Sequence, residues 1–320
     1  MKDIVNERIH IHIYQISLIL LFFANICLYS PTNIRNYILI AGIAITLTCG
    51  SALFRTGFVI RIRYDTKVVF WLLAVYTLFT IYGVFFLATS RWEYNWDSMI
   101  FNLAEGIAFI VIISEFQKQD NSLELLDVPL TVALVLILLY IFHEEGANLG
   151  TLGMRLGDNL SGNGNTVGTG LGIISVMYSY IFAEKKKLYQ IPILIAVFGF
   201  MLLTGSKKTI VFLIGDLFLI ANKSKNKIQA ALIVVILGIV FIYVVFENQY
   251  LYSVIGYRIQ DMMFQLFGVG PGQLSHSTED RVGMIREGFR LFLNHPILGG
   301  GEKYFAAASS TYGHYGYSHC

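Results

Sequence analysis

Two adjacent lysines, Lys207 and Lys208, lie between two apolar stretches in the segment TGSKKTIV, residues 204–211. At the end of a membrane helix, lysines extend their ammonium groups towards the headgroups, which would make this pair a marker of the membrane surface. Alternatively, the two ammonium groups and the free N–H groups that open the next helix form a site for a phosphate. The segment is not a P-loop, because the upstream glycine of that motif is missing. A helix boundary and an anion site therefore remain as alternatives.

A third cation, Arg155, is the only basic residue in a segment rich in Gly and Asn, TLGMRLGDNLSGNGNTVGTGLG, residues 151–172. The glycine spacing is poor evidence for a dinucleotide site, since no strand precedes it and an apolar helix follows. One interpretation is a flexible external loop. In the other, the guanidinium group of Arg155 projects into an external cavity and binds a phosphate or a sugar hydroxyl through paired hydrogen bonds.

Carboxylates and histidines are the remaining candidates for chemistry. Glu105, Glu115 and Asp216 lie in or near apolar stretches, where a carboxylate is costly and marks a functional candidate. We expect Glu115 and Asp216 close to a membrane surface, and Glu105 deeper, as a functional group or as a hydrogen-bond partner of a neighbouring helix. His314 and His319 offer too few ligands for zinc. Each is either a surface residue or a general base suited to neutral pH, so no metal or cofactor is predicted.

The composition places these residues in a membrane protein. Hydrophobic residues make up 55% of the 320 residues and charged residues 14%, whereas about 25% is usual for soluble domains. The apolar stretches are long enough to cross a bilayer, which takes roughly 17–25 residues. We therefore predict an all-α, polytopic integral membrane protein with about nine transmembrane helices. The predicted spans are 11–30, 37–54, 68–90, 98–114, 128–142, 166–183, 188–204, 209–221 and 228–246.

The distribution of basic residues predicts the orientation of these spans. With the N-terminus in the cytoplasm, the short external loops receive only Arg35, Arg91, Arg155 and the pair Lys207-Lys208, as the positive-inside rule requires. Residues 1–246 then form the transmembrane domain, and residues 247–320 form an extracytoplasmic region. Within that region, residues 277–296 read as an amphipathic helix. One of its faces carries Val282, Ile285, Phe289 and Phe292, and another carries Arg286 and Arg290.

The order of these features resembles the O-antigen ligase and polysaccharide polymerase superfamily of bacterial membrane proteins. The resemblance covers roughly residues 150–320. Its most specific part is the tail, with Arg281, His295-Pro296, Gly299-Gly300-Gly301 and Ser318-His319. Ser206-Lys207 corresponds to the Ser-Arg motif of the family, and Arg155 with Asn163 or Asn165 corresponds to its Arg-containing loop.

The resemblance implies a metal-independent glycosyl transfer from an undecaprenyl-diphosphate-linked oligosaccharide to an acceptor sugar. Arg155, Lys207 and Arg281, together with Lys208 and Arg286, would hold the diphosphate, and His319 would be the catalytic base. It further implies the bacterial cytoplasmic (inner) membrane, no cofactor and no nucleic acid. Membrane lipids, a flippase and a chain-length regulator would be the partners.

Two departures from the family pattern matter. Lys207 replaces an arginine, which keeps the charge but loses the bidentate geometry. The family also continues beyond its histidine with further membrane helices, so we expect this chain, which stops at Cys320, to be truncated and of doubtful activity. A polymerase is favoured because nothing indicates a lipid A-core acceptor. The alternatives are ligase-type transfer to another acceptor, and a non-enzymatic transporter or flippase, which would predict inverted repeats that the sequence does not clearly show.

Overall fold

The computed structural model of this chain describes residues 2–30, 33–56, 96–119, 121–161, 164–224, 226–267, 276–296 and 304–309, with separate positions between 67 and 78. Within these ranges the regular structure is helical, and no strand is present. The predicted span 68–90 lies mostly outside the described residues. Each of the other predicted spans lies on a helix, with ends that differ by a few residues from those expected.

Eight long helices account for those spans. A π-helical turn, Ala24–Leu28, extends the first of them. The helices are α1 Lys2–Phe23, α2 Ile34–Thr56, α3 Trp96–Gln117, α4 Ser122–Glu145, α5 Gly164–Lys185, α6 Gln190–Leu203, α7 Lys207–Asn222 and α8 Lys227–Glu247. After α8, the described residues contain a short helical turn, Gln249–Leu251, and a π-helical turn, Tyr252–Gly256. The helices α9 Tyr257–Phe267, α10 His276–Asn294 and α11 Tyr304–Ala308 then follow.

Five helical segments in the described part of the chain are long and apolar enough to cross a membrane. A helix of about 20 residues spans roughly 30 Å, the thickness of the hydrocarbon core. The protein is therefore a multi-pass membrane protein, whereas the total of about nine spans stays a prediction. The five segments are Arg8–Leu28, Ile34–Arg55, Ser122–Glu145, Gly164–Lys185 and Lys227–Glu247.

The chain forms two units by its internal contacts. The first comprises Met1–Ile60 and Val111–Leu266, and the second comprises Arg61–Ile110 and Phe267–Cys320. In the first unit, α1 packs against α2 and α4, and α5 packs against α7. The contacting faces are apolar stripes at helical spacing, such as Leu130, Leu134 and Ile137 on α4, all fully buried. Because lipid is as apolar as these side chains, close van der Waals packing rather than removal from water holds the helices together.

Glycines bring α5 close to α7 and to the turn before it. A Cβ atom at Gly168 would lie 2.7 Å from Thr204 Oγ1, and one at Gly172 would lie 2.3 Å from the ring of Phe212. Small residues at such contacts are typical of membrane helix pairs, because they let the backbones approach. The start of α7, which carries Lys207, is thereby fixed against the first turns of α5.

One end of the first unit carries most of its basic side chains. There, Lys185 pairs with Glu124, and Lys187 pairs with Asp127, whose carboxylate raises the pKa of the Lys187 ammonium group. Arg55 and Lys118 both pair with Glu115, which agrees with its expected place near a membrane surface. The loops that carry Arg155 and Lys207 lie at the opposite ends of the same helices. The charge asymmetry is therefore present in the fold, while its orientation across the membrane stays a prediction.

Asp216, which the sequence predicts to be close to a membrane surface, contacts a neighbouring helix. It is fully buried between α7 and α5, where the Ser175 hydroxyl donates a hydrogen bond of 2.7 Å to its Oδ2 atom. The carboxyl group is therefore turned towards the partner helix rather than towards the membrane surface. Such a group links two helices through polar contacts inside the bilayer.

Candidate functional site

Three segments that are far apart in the sequence meet at one end of the first unit. The loop around Arg155 joins the turn between α6 and α7 through a hydrogen bond of 3.0 Å from the Leu156 N–H to the Leu203 carbonyl. The same loop joins the segment after α8 through a hydrogen bond of 3.0 Å from the Gly153 N–H to Ser253 Oγ. These contacts bring the Arg155 loop beside the turn that leads to Lys207 and Lys208.

A buried carboxylate holds the backbone of the Arg155 loop. Glu145, at the end of α4, is 2% exposed and accepts hydrogen bonds of 2.8 Å from the N–H groups of Gly157 and Leu160. Those groups belong to the region where the short helix Asp158–Ser161 begins, and the first N–H groups of a helix have no partner within the helix itself. The loop is therefore fixed on the C-terminal side of Arg155.

The guanidinium group of Arg155 is oriented by Asp158. Its Nε atom donates to Asp158 Oδ2 at 3.0 Å, and its Nη2 atom donates to Asp158 Oδ1 at 2.7 Å. The same Oδ1 accepts a hydrogen bond of 2.9 Å from the N–H of Gly164, the first residue of α5. Within the described residues the Nη1 atom has no such partner. One edge of a rigid, permanently charged group is thus held by Asp158.

A glycine lets Arg155 approach the turn that leads to Lys207. Gly205 has a φ of +59°, in the left-handed region that favours glycine. A Cβ atom there would lie 2.5 Å from the Val254 carbonyl oxygen and 3.1 Å from Cδ of Arg155. Arg155 therefore packs directly against the turn, two residues before Lys207.

The N-terminus of α7 forms the next part of the site. Ser206 occupies the N-cap position, but its side chain accepts no hydrogen bond from the helix. Its Oγ atom is buried and has no hydrogen-bond partner in the described part of the chain. The positive end of the helix dipole therefore lies beside Lys207 and Lys208, without the usual side-chain cap.

Lys207 and Lys208 differ in their surroundings. The ammonium group of Lys207 forms an ion pair with the carboxylate of Asp261 on α9, and these side chains are 28% and 16% exposed. Lys208, one position further along α7, is exposed. The site thus combines one oriented guanidinium group, one paired ammonium group and one exposed ammonium group at a helix N-terminus. Such a set of charges suits an anion with several oxygens, such as a phosphate ester.

The other predicted site residues belong to the second unit. The segment predicted to be an amphipathic helix is helical, as α10, and Arg286 is exposed on it. Arg281 lies on the same helix, but its side chain is outside the described residues, as are His314 and His319. On α10, Arg290 donates to both carboxylate oxygens of Glu287 and lowers the pKa of that carboxyl group. The structure therefore gathers Arg155, Lys207 and Lys208, and leaves the roles of Arg281, Arg286 and His319 as predictions.

Four residues of this site were not expected from the sequence. Asp158 had a local signal, because it lies three residues after Arg155 at a spacing that allows ion pairing on a helical turn. Glu145, Ser253 and Asp261 had none, because each contacts a segment that only the packing of the helices brings near.

A comparison with known protein families finds one similarity. Residues 192–319 match the family model described as O-antigen ligase. No curated protein and no solved structure matches the chain. The matched range includes Lys207, Lys208, Arg281, Arg286 and His319, whereas Arg155 precedes it. The resemblance predicted from the sequence motifs is thus confirmed over residues 192–319, where this multi-pass membrane protein is similar to the O-antigen ligase family.

Proposed function

We propose that this protein is a glycosyltransferase that extends a bacterial surface polysaccharide, such as an O-antigen, a capsule or an exopolysaccharide. It transfers an undecaprenyl-diphosphate-linked glycan to an acceptor sugar at the outer face of the cytoplasmic membrane. The observation that carries the proposal is the position of Lys207. It lies inside the O-antigen ligase match and, with Arg155, forms a cationic site at one end of membrane-spanning helices.

The cationic site suits the leaving group of this reaction. When the bond between the anomeric carbon and the diphosphate breaks, negative charge builds up on the departing diphosphate. Fixed cations at that point stabilise the transition state more than the ground state, which is the electrostatic requirement for catalysis. The guanidinium group of Arg155 and the ammonium groups of Lys207 and Lys208 supply such charge. Arg281 and Arg286 contribute further cations in this proposal, so that the transfer needs no metal ion.

The acceptor must also lose a proton. As the acceptor hydroxyl oxygen attacks the anomeric carbon, a base takes its proton, and His319 in the Ser318-His319 motif is the residue proposed for this role. Imidazole suits the task because its pKa in water lies near neutral pH. This assignment rests on the motif and on its place within the O-antigen ligase match.

The proposed orientation follows from the charges. The end that carries Lys185, Lys187 and Lys223 lies in the cytoplasm, together with the N-terminus, and the Arg155 and Lys207 site lies outside. A flippase would deliver the lipid-linked donor to that side, and a chain-length regulator would act on the growing polymer.

Reconstitution tests the proposed activity. The protein in liposomes is given an undecaprenyl-diphosphate-linked repeat unit, and the products are separated by glycan length. We expect glycans of several repeat units with release of undecaprenyl diphosphate, and loss of both in the Lys207→Ala variant. The matched control is Lys227→Ala, which removes an exposed lysine at the opposite end of the helices.

Other products would contradict the proposal in distinct ways. Single transfer to an added acceptor without chain growth would indicate a ligase. Movement of the lipid-linked glycan across the bilayer without a new glycosidic bond would indicate a flippase.

A further inference from the structure

An apolar groove lies where the end of α1 meets the last turns of α4. Its volume of about 710 Å³ is within the range of about 300–1,000 Å³ that is usual for small-molecule sites. α1 contributes Phe23, whose ring contacts that of Tyr140 edge-on, with 5.3 Å between the ring centres. α4 and the turn after it contribute most of the lining, including Leu139, Phe142 and Ala147. Aliphatic and aromatic side chains thus dominate the groove.

The lining side chains of α4 face outwards rather than into the helix core. Leu136, Leu139 and Phe142 are 43%, 61% and 57% exposed. Directly after them, the membrane-spanning segment ends with two exposed polar side chains, His143 and Glu144. The groove therefore opens towards lipid, at the level where the apolar part of the membrane gives way to its surface.

On the α1 side, the groove is joined to the loop that carries Arg155. Phe23 is followed directly by the π-helical turn Ala24–Leu28. This turn packs against the short helix Asp158–Ser161. The first residue of that helix, Asp158, holds the guanidinium group of Arg155 through both of its carboxylate oxygens. The α1 side of the groove and the anchor of Arg155 are therefore in contact.

On the α4 side, the groove is joined to the same loop by a buried carboxylate. Glu145 directly precedes Gly146, which lines the groove. The carboxylate of Glu145 accepts hydrogen bonds of 2.8 Å from the N–H groups of Gly157 and Leu160. Both sides of the groove are thus tied to the backbone and side-chain contacts that position Arg155.

A lipid-linked diphosphate has two parts that require different surroundings. Its diphosphate binds cations at the membrane surface, whereas its apolar chain must remain out of water. The chain starts at the diphosphate, so it enters the bilayer beside the Arg155 loop, where the groove lies. We propose that this groove binds the first isoprene units of the polyprenyl tail of the donor. The inference rests on the proposed function and adds to it a binding site for the tail.

Packing rather than removal from water gives this contact its strength. A chain that moves from the bilayer into the groove leaves one apolar environment for another, so the gain comes from van der Waals contact with the lining side chains. A tail held in this way also limits the directions from which the diphosphate approaches the cations. A side chain that fills the groove should therefore weaken donor binding without changing the cations themselves.

The test compares two ligands on the full chain in nanodiscs, undecaprenyl diphosphate and inorganic diphosphate, which has no tail. For Leu139→Trp we expect undecaprenyl diphosphate to bind at least about tenfold more weakly, an effect typical of a changed fit in an apolar pocket. Binding of inorganic diphosphate should not change. Ala147→Phe fills the groove from the turn after α4 and should give the same result. Both residues are exposed, so neither substitution enters the packed core.

The matched control is Ile242→Trp, which places the same ring on α8 at a residue that is 51% exposed. Its affinity for undecaprenyl diphosphate should equal that of the unmodified protein. A benzophenone-bearing amino acid in place of Leu139 gives an independent measurement. On illumination it should crosslink to undecaprenyl diphosphate, whereas the same amino acid in place of Ile242 should not.

Three results would overturn the inference. The first is unchanged affinity for undecaprenyl diphosphate in the groove variants. The second is an equal loss of affinity for inorganic diphosphate, because the substitutions would then act on the cations. The third is crosslinking from position 139 to phospholipid but not to undecaprenyl diphosphate, which would assign the groove to bulk lipid. Thermal unfolding identifies a variant that does not fold, and the other variant and the crosslink then decide.

The Lys207→Ala variant separates this inference from the proposed function. If Lys207→Ala binds both ligands as tightly as the unmodified protein, the diphosphate site itself is wrong. If Lys207→Ala weakens the binding of both ligands while Leu139→Trp and Ala147→Phe weaken neither, only the tail site is wrong.

Discussion

The Cδ atom of Arg155 lies 3.1 Å from the point that a Cβ atom would occupy at Gly205. This contact joins a loop before α5 to the turn before α7, and it brings the only cation of the loop to the residues that precede Lys207. The two parts of the proposed diphosphate site are therefore joined by one close approach of the Arg155 side chain to the backbone at Gly205.

We predict that Gly205→Ala damages this site more than the rest of the fold. The left-handed backbone conformation at a φ of +59° raises the conformational free energy of a residue with a side chain by about 1–2 kcal/mol. The added methyl group would also press on Val254 and Arg155. We expect transfer activity to fall at least about tenfold, since misplacement of a binding group is costly. The measurement is the rate of glycan extension by protein of equal membrane abundance. The control is Gly199→Ala in α6, because nothing lies near the Cβ position of Gly199. An equal loss of transfer activity in both variants would contradict the prediction.

Glu145→Ala should release the Arg155 loop. The carboxylate accepts two backbone hydrogen bonds and is almost fully buried, and hydrogen bonds to a charged group contribute about 1.5–3 kcal/mol each. We expect a lower unfolding temperature and easier proteolysis between residues 151 and 161. The neighbouring Glu144 is exposed, so Glu144→Gln should change neither property. A loop that stays resistant to protease in Glu145→Ala would show that other contacts suffice to hold it.

His319→Ala should separate binding from chemistry. With the cations intact, the variant should bind the lipid-linked donor as before, while loss of the general base should slow transfer by about 10²–10⁴-fold. Donor binding and single-turnover transfer, measured on the same preparation, check both parts. Normal extension of the glycan would rule out His319 as the base.

The orientation predicts a difference in chemical labelling. Leu152, beside Arg155, is 62% exposed, and Leu188, in the loop at the lysine-rich end, is 82% exposed. In a background without native cysteines, a maleimide that does not cross the membrane should label Leu152→Cys in intact cells. It should label Leu188→Cys only after the membrane has been opened. The reverse pattern would place the site in the cytoplasm and remove the basis of the proposed reaction.

The sequence by itself determined the membrane class, most helix positions and the identity of the cations. Apolar stretches of sufficient length predict helices, because the bilayer thickness sets their length and each segment must satisfy its own backbone hydrogen bonds. The sequence also predicts helix α10, because its apolar and charged residues recur at helical spacing. Lys207, Lys208 and Arg155 stood out because basic residues are scarce on that side of the predicted topology.

Only the tertiary structure decided how those cations are held. The partnership of Lys207 with Asp261, and of Gly153 with Ser253, depends on where α8 and the segment after it lie beside the turn before α7. That position depends in turn on close packing of α5 and α7 at Gly168 and Gly172. Such contacts leave no periodic trace in the sequence, because they join residues whose separation along the chain is unrelated to any helical repeat. The chain's local pattern therefore specifies the helices and the charges, and the packing of helices specifies which charges meet.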